Sequence, residues 1–260
     1  MEQKLFSVVI PTFGCGRKLA VTLESVLSQP NELYEIIVVD GGSGAETLSV
    51  IEEYGDRLRC VSEPDRGVYD ALNKGAAMSS GRHLLFLGAG DRLKEGVLER
   101  VAEILRGGEI TFAYGDAYLV RHDVRQGGTF GRKDFVGRNL CHQAIFYERR
   151  IFDLLGGFDL KYKVYADWAF NMKCFADPRV RKLYLGLLIA DFEGWGISDL
   201  QEDLAFQRDL PGLVRKHVGF NEYLRYRIYL ARVSFYLVRR KFAGSVKTAL
   251  PAPLNRRHKS

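Results

Sequence analysis

YEIIVVDGGSGAET, residues 34–47, passes within a few positions from a β-branched apolar run to an acid, then to a glycine turn, then to helix-compatible residues. The spacing predicts a buried strand over residues 35–39, a turn at Asp40, and a helix over residues 45–53. Working outward, the same order recurs. FSVVIPTF, residues 6–13, reads as a strand closed by Pro11. Residues 17–28 follow with Leu19, Leu23, Val26 and Leu27 at helical period. RLRCVSEPD, residues 57–65, is a third strand, residues 68–78 a third helix and residues 83–87 a fourth strand. Strands that alternate with helices need crossover connections, so the fold class is α/β with a mostly parallel central sheet flanked by helices. Ligands of such sheets lie beyond the carboxyl ends of the strands. Asp40, Asp65 and Asp91 all stand in turns at those ends.

FLGAGD, residues 86–91, ends a buried strand on two glycines, an alanine and one carboxylate. Without a Cβ, glycine lets a bulky group or an ion approach the backbone; a plain turn is the other reading. Beyond it the pattern is less regular. Strands are expected over residues 109–120, 127–130, 142–148 and 182–192, and a helix over 165–175. Helices are expected over 199–217 and 222–241, with 243–260 loosely ordered. The domain reading is a catalytic unit over residues 1–198 and a helical, basic extension over 199–260.

Of 260 residues, 47% are hydrophobic and 27% charged, the balance of a soluble globular chain rather than a disordered one. Cys15, Cys60, Cys141 and Cys174 show no disulfide or zinc spacing and read as buried thiols of a reducing compartment. The opening MEQKLFSVVIPTF has too short an apolar run for a secretory segment, and no run approaches a membrane span, so a cytoplasmic location is expected. The net charge of +6 is unevenly placed. Residues 206–260 hold 13 Lys/Arg and 2 Asp/Glu, a balance of +11, which leaves −5 on the other 205 residues. Such a tail suggests an anionic partner.

Taken in order, VVIPTF, IIVVDGGSGAET, EPDRGVYDALNKGAAMSSG, FLGAGD and YADWAF resemble the family 2 glycosyltransferases, inverting enzymes of the GT-A fold. The form EPDRGVYDALNKG is similar to the subgroup of bacterial polysaccharide and glycolipid assembly. The resemblance implies a nucleotide-sugar donor, UDP- or GDP-linked, and a saccharide or lipid-linked acceptor. It assigns Pro11, Thr12, Phe13, Asp40, Asp65, Arg66 and Asn73 to the nucleotide pocket. Read from the residues alone, Asp40 is also a turn-former, Asp65 a helix N-cap and Arg66 a solvated side chain.

The resemblance further implies that Asp91 binds Mg²⁺ or Mn²⁺ bridging the donor diphosphate, although Gly90 stands where a second acid is usual. It makes Asp167 the catalytic base, with Ala166 replacing a neighbouring acid; helix capping is the alternative for Asp167. Asp116 is the next acid in line. His142 and Gln143 are expected on the acceptor side, a satisfied buried histidine being the other reading of His142. Residues 116–139 are expected to set sugar choice. Two rivals remain open at this stage. Gly14, Gly16, Arg17 and Lys18 lend some support to a nucleotidyltransferase, while Gly90 and Ala166 would suit a non-catalytic nucleotide-sugar-binding protein.

In EYLRYRIYLARVSFYLVRRKF, residues 222–242, Arg225, Arg232 and Arg239 recur every seven positions, nearly one line on a helix. With Lys247, Arg256, Arg257 and Lys259 beyond, peripheral binding to an anionic membrane on its inner face is expected. A helix packed on the catalytic body is the alternative. No nucleic-acid motif accompanies the charge.

Overall fold

The computed structural model describes residues 3–105, 107–194 and 201–242, with side chains through residue 233. The expected loose segment 243–260, with its four basic residues, lies outside the described residues. In the first half, β1 (Phe6–Thr12), α1 (Gly16–Leu27), β2 (Tyr34–Asp40), α2 (Ala45–Tyr54), β3 (Arg59–Ser62), α3 (Val68–Met78) and β4 (His83–Phe86) follow the expected alternation. β1 pairs in parallel with β2 and β4, and β2 with β3. β1, β2 and β4 read as continuous apolar runs because both faces are covered. Val9, Ile37, Val39, Leu84 and Phe86 point into one core, while Val8, Ile10, Ile36, Val38 and Leu85 point into the other.

The second half adds β5 (Arg92–Leu93), α4 (Val97–Ile104), β6 (Thr111–Leu119), β7 (Val124–Gln126), β8 (Ile145–Glu148), α5 (Arg150–Leu155), α6 (Ala166–Ala176) and β9 (Arg181–Phe192). The sheet order is β3-β2-β1-β4-β8-β6-β9-β5, with β7 on β6. β8 runs antiparallel to β4, with Leu85 opposite Phe146. Its N-terminal end therefore lies beside the C-terminal end of β4, at the edge where the acid-bearing turns gather.

Several expected boundaries move. Residues 127–130 are not a strand; the strand is Val124–Gln126, and Gly128 at φ +84° turns the chain away. Residues 142–144 form a single 3₁₀ turn before β8 instead of extending it. β3 is confined to Arg59–Ser62. α4 and α5 had no counterpart in the sequence reading. Of the cysteines only Cys174 is buried; Cys60 is exposed, and Cys15 and Cys141 are intermediate.

α7 (Leu204–Leu213) begins where Asp203 accepts from the Phe206 amide at 3.0 Å. Phe206, Leu210, Val214 and Val218 join the core that holds Phe170 and Met172. Among the described residues, α7 and the turn that ends at Val218 thus pack on the same core as α6. α8 (Phe220–Phe242) then turns Tyr223 and Tyr226 toward that core and leaves Phe220, Leu224 and Ile228 exposed.

Candidate active site

Where the β1 and β4 ends meet the start of β8, a cavity of about 420 Å³ opens, and two buried acids, Asp91 and Asp167, line it. Asp91 follows β4 and is 3% exposed. Its Oδ2 accepts from the Gly88 amide at 2.9 Å and from Gln143 Nε2 at 3.0 Å, and its Oδ1 accepts from the Glu193 amide at 3.2 Å. All three donors are neutral, and burial pushes its carboxyl above the usual range. A buried carboxylate held this way retains a charge that a hard cation would offset, so its chemistry fits Mg²⁺ or Mn²⁺. Among the described residues no three His, Cys, Asp or Glu side chains converge on such an ion. Phosphate oxygens and water would have to complete its shell.

The missing acid at position 90 has a backbone cause. Gly90 adopts φ +108°, a region L side chains avoid, and a Cβ there would collide with the Glu193 carboxylate. Glu193 is itself paired with Lys18 at 2.8 Å.

Asp167 lies in the first turn of α6 but does not cap it. Its Oδ1 lies 2.8 Å from the Tyr69 hydroxyl, and its Oδ2 accepts from Asn139 Nδ2 at 2.8 Å. Asn139 Oδ1 accepts in turn from Asn171 Nδ2 at 3.1 Å, and Asn171 Oδ1 from the Tyr147 hydroxyl at 2.8 Å. The donors from Tyr147 through Asn171 and Asn139 all point toward Asp167, so their dipoles reinforce one another at its carboxylate. Ala166, the position of the absent neighbouring acid, is fully buried in the core, where a second charge would lack water. Asp203 holds the approach to α6, its Oδ2 accepting from the Val164 and Tyr165 amides at 2.9 and 3.2 Å.

The turn before β8 joins the two acids. Gln143 donates to Asp91, and His142 Nδ1 stands 3.8 Å from Asp167 Oδ2. His142 is therefore partly open to the cleft, not a sealed core histidine. Gln143, by contrast, is buried and serves Asp91.

The loops after β1, β2 and β3 bring most of the expected nucleotide residues together. Pro11 lines the cleft, Thr12 is buried behind it, and the Phe13 ring is 71% exposed on the rim. Asp40 is fully buried and forms the turn itself: Oδ2 accepts from the Gly42 and Ser43 amides and from Ser62 Oγ, and Oδ1 from Ser43 Oγ. These bonds hold its carboxyl below the usual range despite burial. A Cβ on Gly41 would stand 2.8 Å from Asp65 Oδ2 and 3.3 Å from the Phe13 ring, which shows how closely the three loops meet.

Asp65 accepts from the Gly67 amide, and Gly67, not Asp65, occupies the N-cap of α3. Arg66 is exposed and paired with Asp70 at 3.1 Å. Asn73 stands apart from the cleft lining; its amide exchanges two hydrogen bonds with the Phe158 backbone, at 2.9 Å each. Asp116 is likewise outside the lining and locked by Arg125 and Tyr184. Leu119, Gln126 and Asn139, from the segment expected to choose the sugar, do line it.

The Glycosyl transferase family 2 model matches residues 7–168, the span that carries both acids. The chain belongs to glycosyl transferase family 2. A PGL/p-HBAD biosynthesis glycosyltransferase of Mycobacterium tuberculosis is 38% identical over 219 residues, covering 81% of this chain and 86% of that protein. A second glycosyltransferase of the same organism, of uncharacterized activity, is 30% identical over 255 residues, 94% of this chain and 97% of that one. Two solved structures share the architecture. S. aureus TarS 1–349 in complex with UDP-GlcNAc has a TM-score of 0.63 at 16% identity, over 92% of this chain and 73% of that one. The mannosyltransferase PcManGT from Pyrobaculum calidifontis, in complex with GDP-Man and Mn²⁺, has 0.65 at 15% identity, over 95% and 77%. This family 2 glycosyltransferase therefore has the GT-A fold, with a helical C-terminal part.

Tyr69, Asn171 and Asp203 have no role in the sequence reading, and Asn139 enters it only as the end of the segment expected to choose the sugar. Tyr69 stands inside EPDRGVYDALNKG, so its motif is the signal that marks it. The other three are isolated polar residues whose convergence depends on the fold.

Proposed function

We propose that this glycosyltransferase moves one sugar, with inversion, from a UDP- or GDP-linked donor to a saccharide or lipid-linked acceptor. The observation that carries the reading is the pairing of two buried acids across one cleft, Asp91 among neutral donors and Asp167 at the end of a directed hydrogen-bond chain. Asp167 removes the proton of the attacking hydroxyl. Asp91 would hold a divalent ion, which supplies charge stabilisation to the departing diphosphate when bound. Pro11, Thr12, Phe13, Asp40 and Asp65 shape the nucleoside end: the Phe13 ring offers a stacking face, and Asp40 acts by fixing the turn. Arg66 is available at the rim by exchanging its partner Asp70 for phosphate or base. Asn73 contributes from behind, by anchoring α3 to the Phe158 loop. On the other side Tyr165, Trp168, Leu119 and Phe192 form an aromatic and aliphatic wall suited to the apolar face of an acceptor ring, with His142 at its edge.

The test is a panel of nucleotide sugars with and without Mn²⁺, read by thermal shift and by release of nucleoside diphosphate. A matching donor at 100 times its Kd adds about 2.7 kcal/mol of stability, and non-matching donors add much less. A uniform absence of stabilisation and turnover across UDP- and GDP-sugars would refute the donor class.

The C-terminal helix supports attachment to an anionic membrane surface. Phe220, Leu224 and Ile228 form an exposed row at four-residue spacing beside Arg225 and Arg232. No helix among the described residues is long and apolar enough to cross a membrane. Each engaged basic residue contributes about 1 kcal/mol near an anionic surface. The full chain is expected to sediment with vesicles containing anionic lipid, and charge reversal at both Arg225 and Arg232 is expected to weaken this about 10-fold or more in low salt. Equal sedimentation of both proteins, or none by either, would refute the attachment.

A further inference from the structure

We propose that Tyr69 is a positioning residue for the base, its hydroxyl following the proton on Asp167; this rests on the assignment of Asp167 above. Tyr69 is buried, 6% exposed, and its Oη lies 2.6 Å from the Val164 carbonyl oxygen and 2.8 Å from Asp167 Oδ1. A phenol has one proton to donate, and a carbonyl oxygen only accepts. With Asp167 ionised, both neighbours of Tyr69 are acceptors, and one of the two short contacts carries no proton. Val164 cannot withdraw to relieve it, because its amide and that of Tyr165 are both held by Asp203 Oδ2.

Proton transfer resolves this conflict. As the acceptor oxygen forms its bond to the anomeric carbon, its O–H bond breaks and the proton passes to the Asp167 carboxylate. The bond from the anomeric carbon to the diphosphate breaks, and its electron pair leaves with the diphosphate. The carboxylic acid, with its proton on Oδ1, then donates to Tyr69 Oη, and Tyr69 turns its own proton to Val164. Both contacts now hold a proton. Stabilising the protonated acid in this way raises the basicity of Asp167, and the share of that gain already developed in the transition state is the part that raises kcat.

The test is Tyr69→Phe in the full chain, alone and combined with Asp167→Asn. Phenylalanine keeps the ring that packs 5.4 Å from Phe158, centroid to centroid. The expected result is a kcat lower by about 5-fold, the scale of one hydrogen bond between neutral groups. Donor KM should stay within about twofold, and the double variant should be no slower than Asp167→Asn alone, since residues acting as a unit are non-additive. A Tyr69→Phe loss that persists in full in the Asp167→Asn background, or that falls on donor KM, would overturn the proposal and leave Tyr69 a packing residue. A deficient Asp167→Asn beside an intact Tyr69→Phe overturns the Tyr69 role alone. Full turnover by Asp167→Asn overturns the base assignment and this role with it. Should Tyr69→Phe not fold, a fluorotyrosine placed at position 69 preserves the shape and makes the hydroxyl a weaker acceptor. Lower kcat at constant KM supports the role, and unchanged kcat overturns it.

Discussion

Asp167→Asn is expected to leave donor affinity close to wild type and to lower turnover by about 10² or more, the scale of a positioned base removed. The surroundings accept asparagine without strain. Its carbonyl oxygen can take the place of Oδ2 and accept from Asn139, while its amide replaces Oδ1 and donates to the Tyr69 hydroxyl, which then turns to Val164. Every contact is kept, and the melting temperature should be little changed. What is lost is the ability to take a proton. Turnover and the thermal shift given by donor, measured on the same preparation, separate these effects. Normal turnover would mean that another group removes the proton. Asp116, the next candidate from the sequence, is bound to Arg125 and Tyr184 outside the cleft and is poorly placed to do so.

Asp91→Asn should act on the opposite side of the reaction. Nucleoside diphosphate should lose its Mn²⁺-dependent stabilisation of the protein, and turnover should fall by about 10² or more because charge on the leaving group is no longer offset. Three donors converge on Asp91, and of them only Gln143 can turn its amide oxygen to accept, so the asparagine nitrogen will face either the Gly88 amide and a flipped Gln143 or the Glu193 amide. Local repacking is therefore expected as well. For that reason the decisive measurement is the free Mn²⁺ signal in electron paramagnetic resonance, titrated with UDP or GDP, beside nucleotide binding in EDTA. The Mn²⁺ signal should stay free in the variant while metal-free nucleotide binding persists. Uptake of Mn²⁺ equal to wild type would remove Asp91 from the metal site.

The first half of the fold could be read from the chain because its signals are local. Apolar runs of strand length, each followed by an acid and glycines and then by a 3.6-residue period, specify β1 to β4 and their helices wherever they occur. The resemblance of the motifs likewise singled out Asp91 and Asp167, since each stands in a short stretch of distinctive composition. The Asx turn at Asp40 is of the same kind, a carboxylate bonded to amides two and three residues ahead.

Other features depended on distance in space. Gln143 meets Asp91 across 52 residues because β8 pairs antiparallel with β4 and sets its N-terminal turn beside the end of FLGAGD. Tyr69 meets Asp167 across 98 residues because α3 and α6 pack in the same core. No period or propensity records such a pairing; it follows from the register of the sheet and the filling of the core beneath it. The same holds for Gly90, whose missing acid is explained by a positive φ and by Glu193, which arrives from the far end of β9. Residues 199–260 read as an extension because helical period and basic charge are local properties. Only packing showed Phe206 and Val214 in the core, and Asp203 holding the segment that leads to Asp167. Sequence alone thus determined the family of the chain and singled out its two acids. Tertiary structure decided which neutral side chains hold those acids, because a hydrogen bond needs atoms within about 3 Å, and only the folded backbone sets that distance.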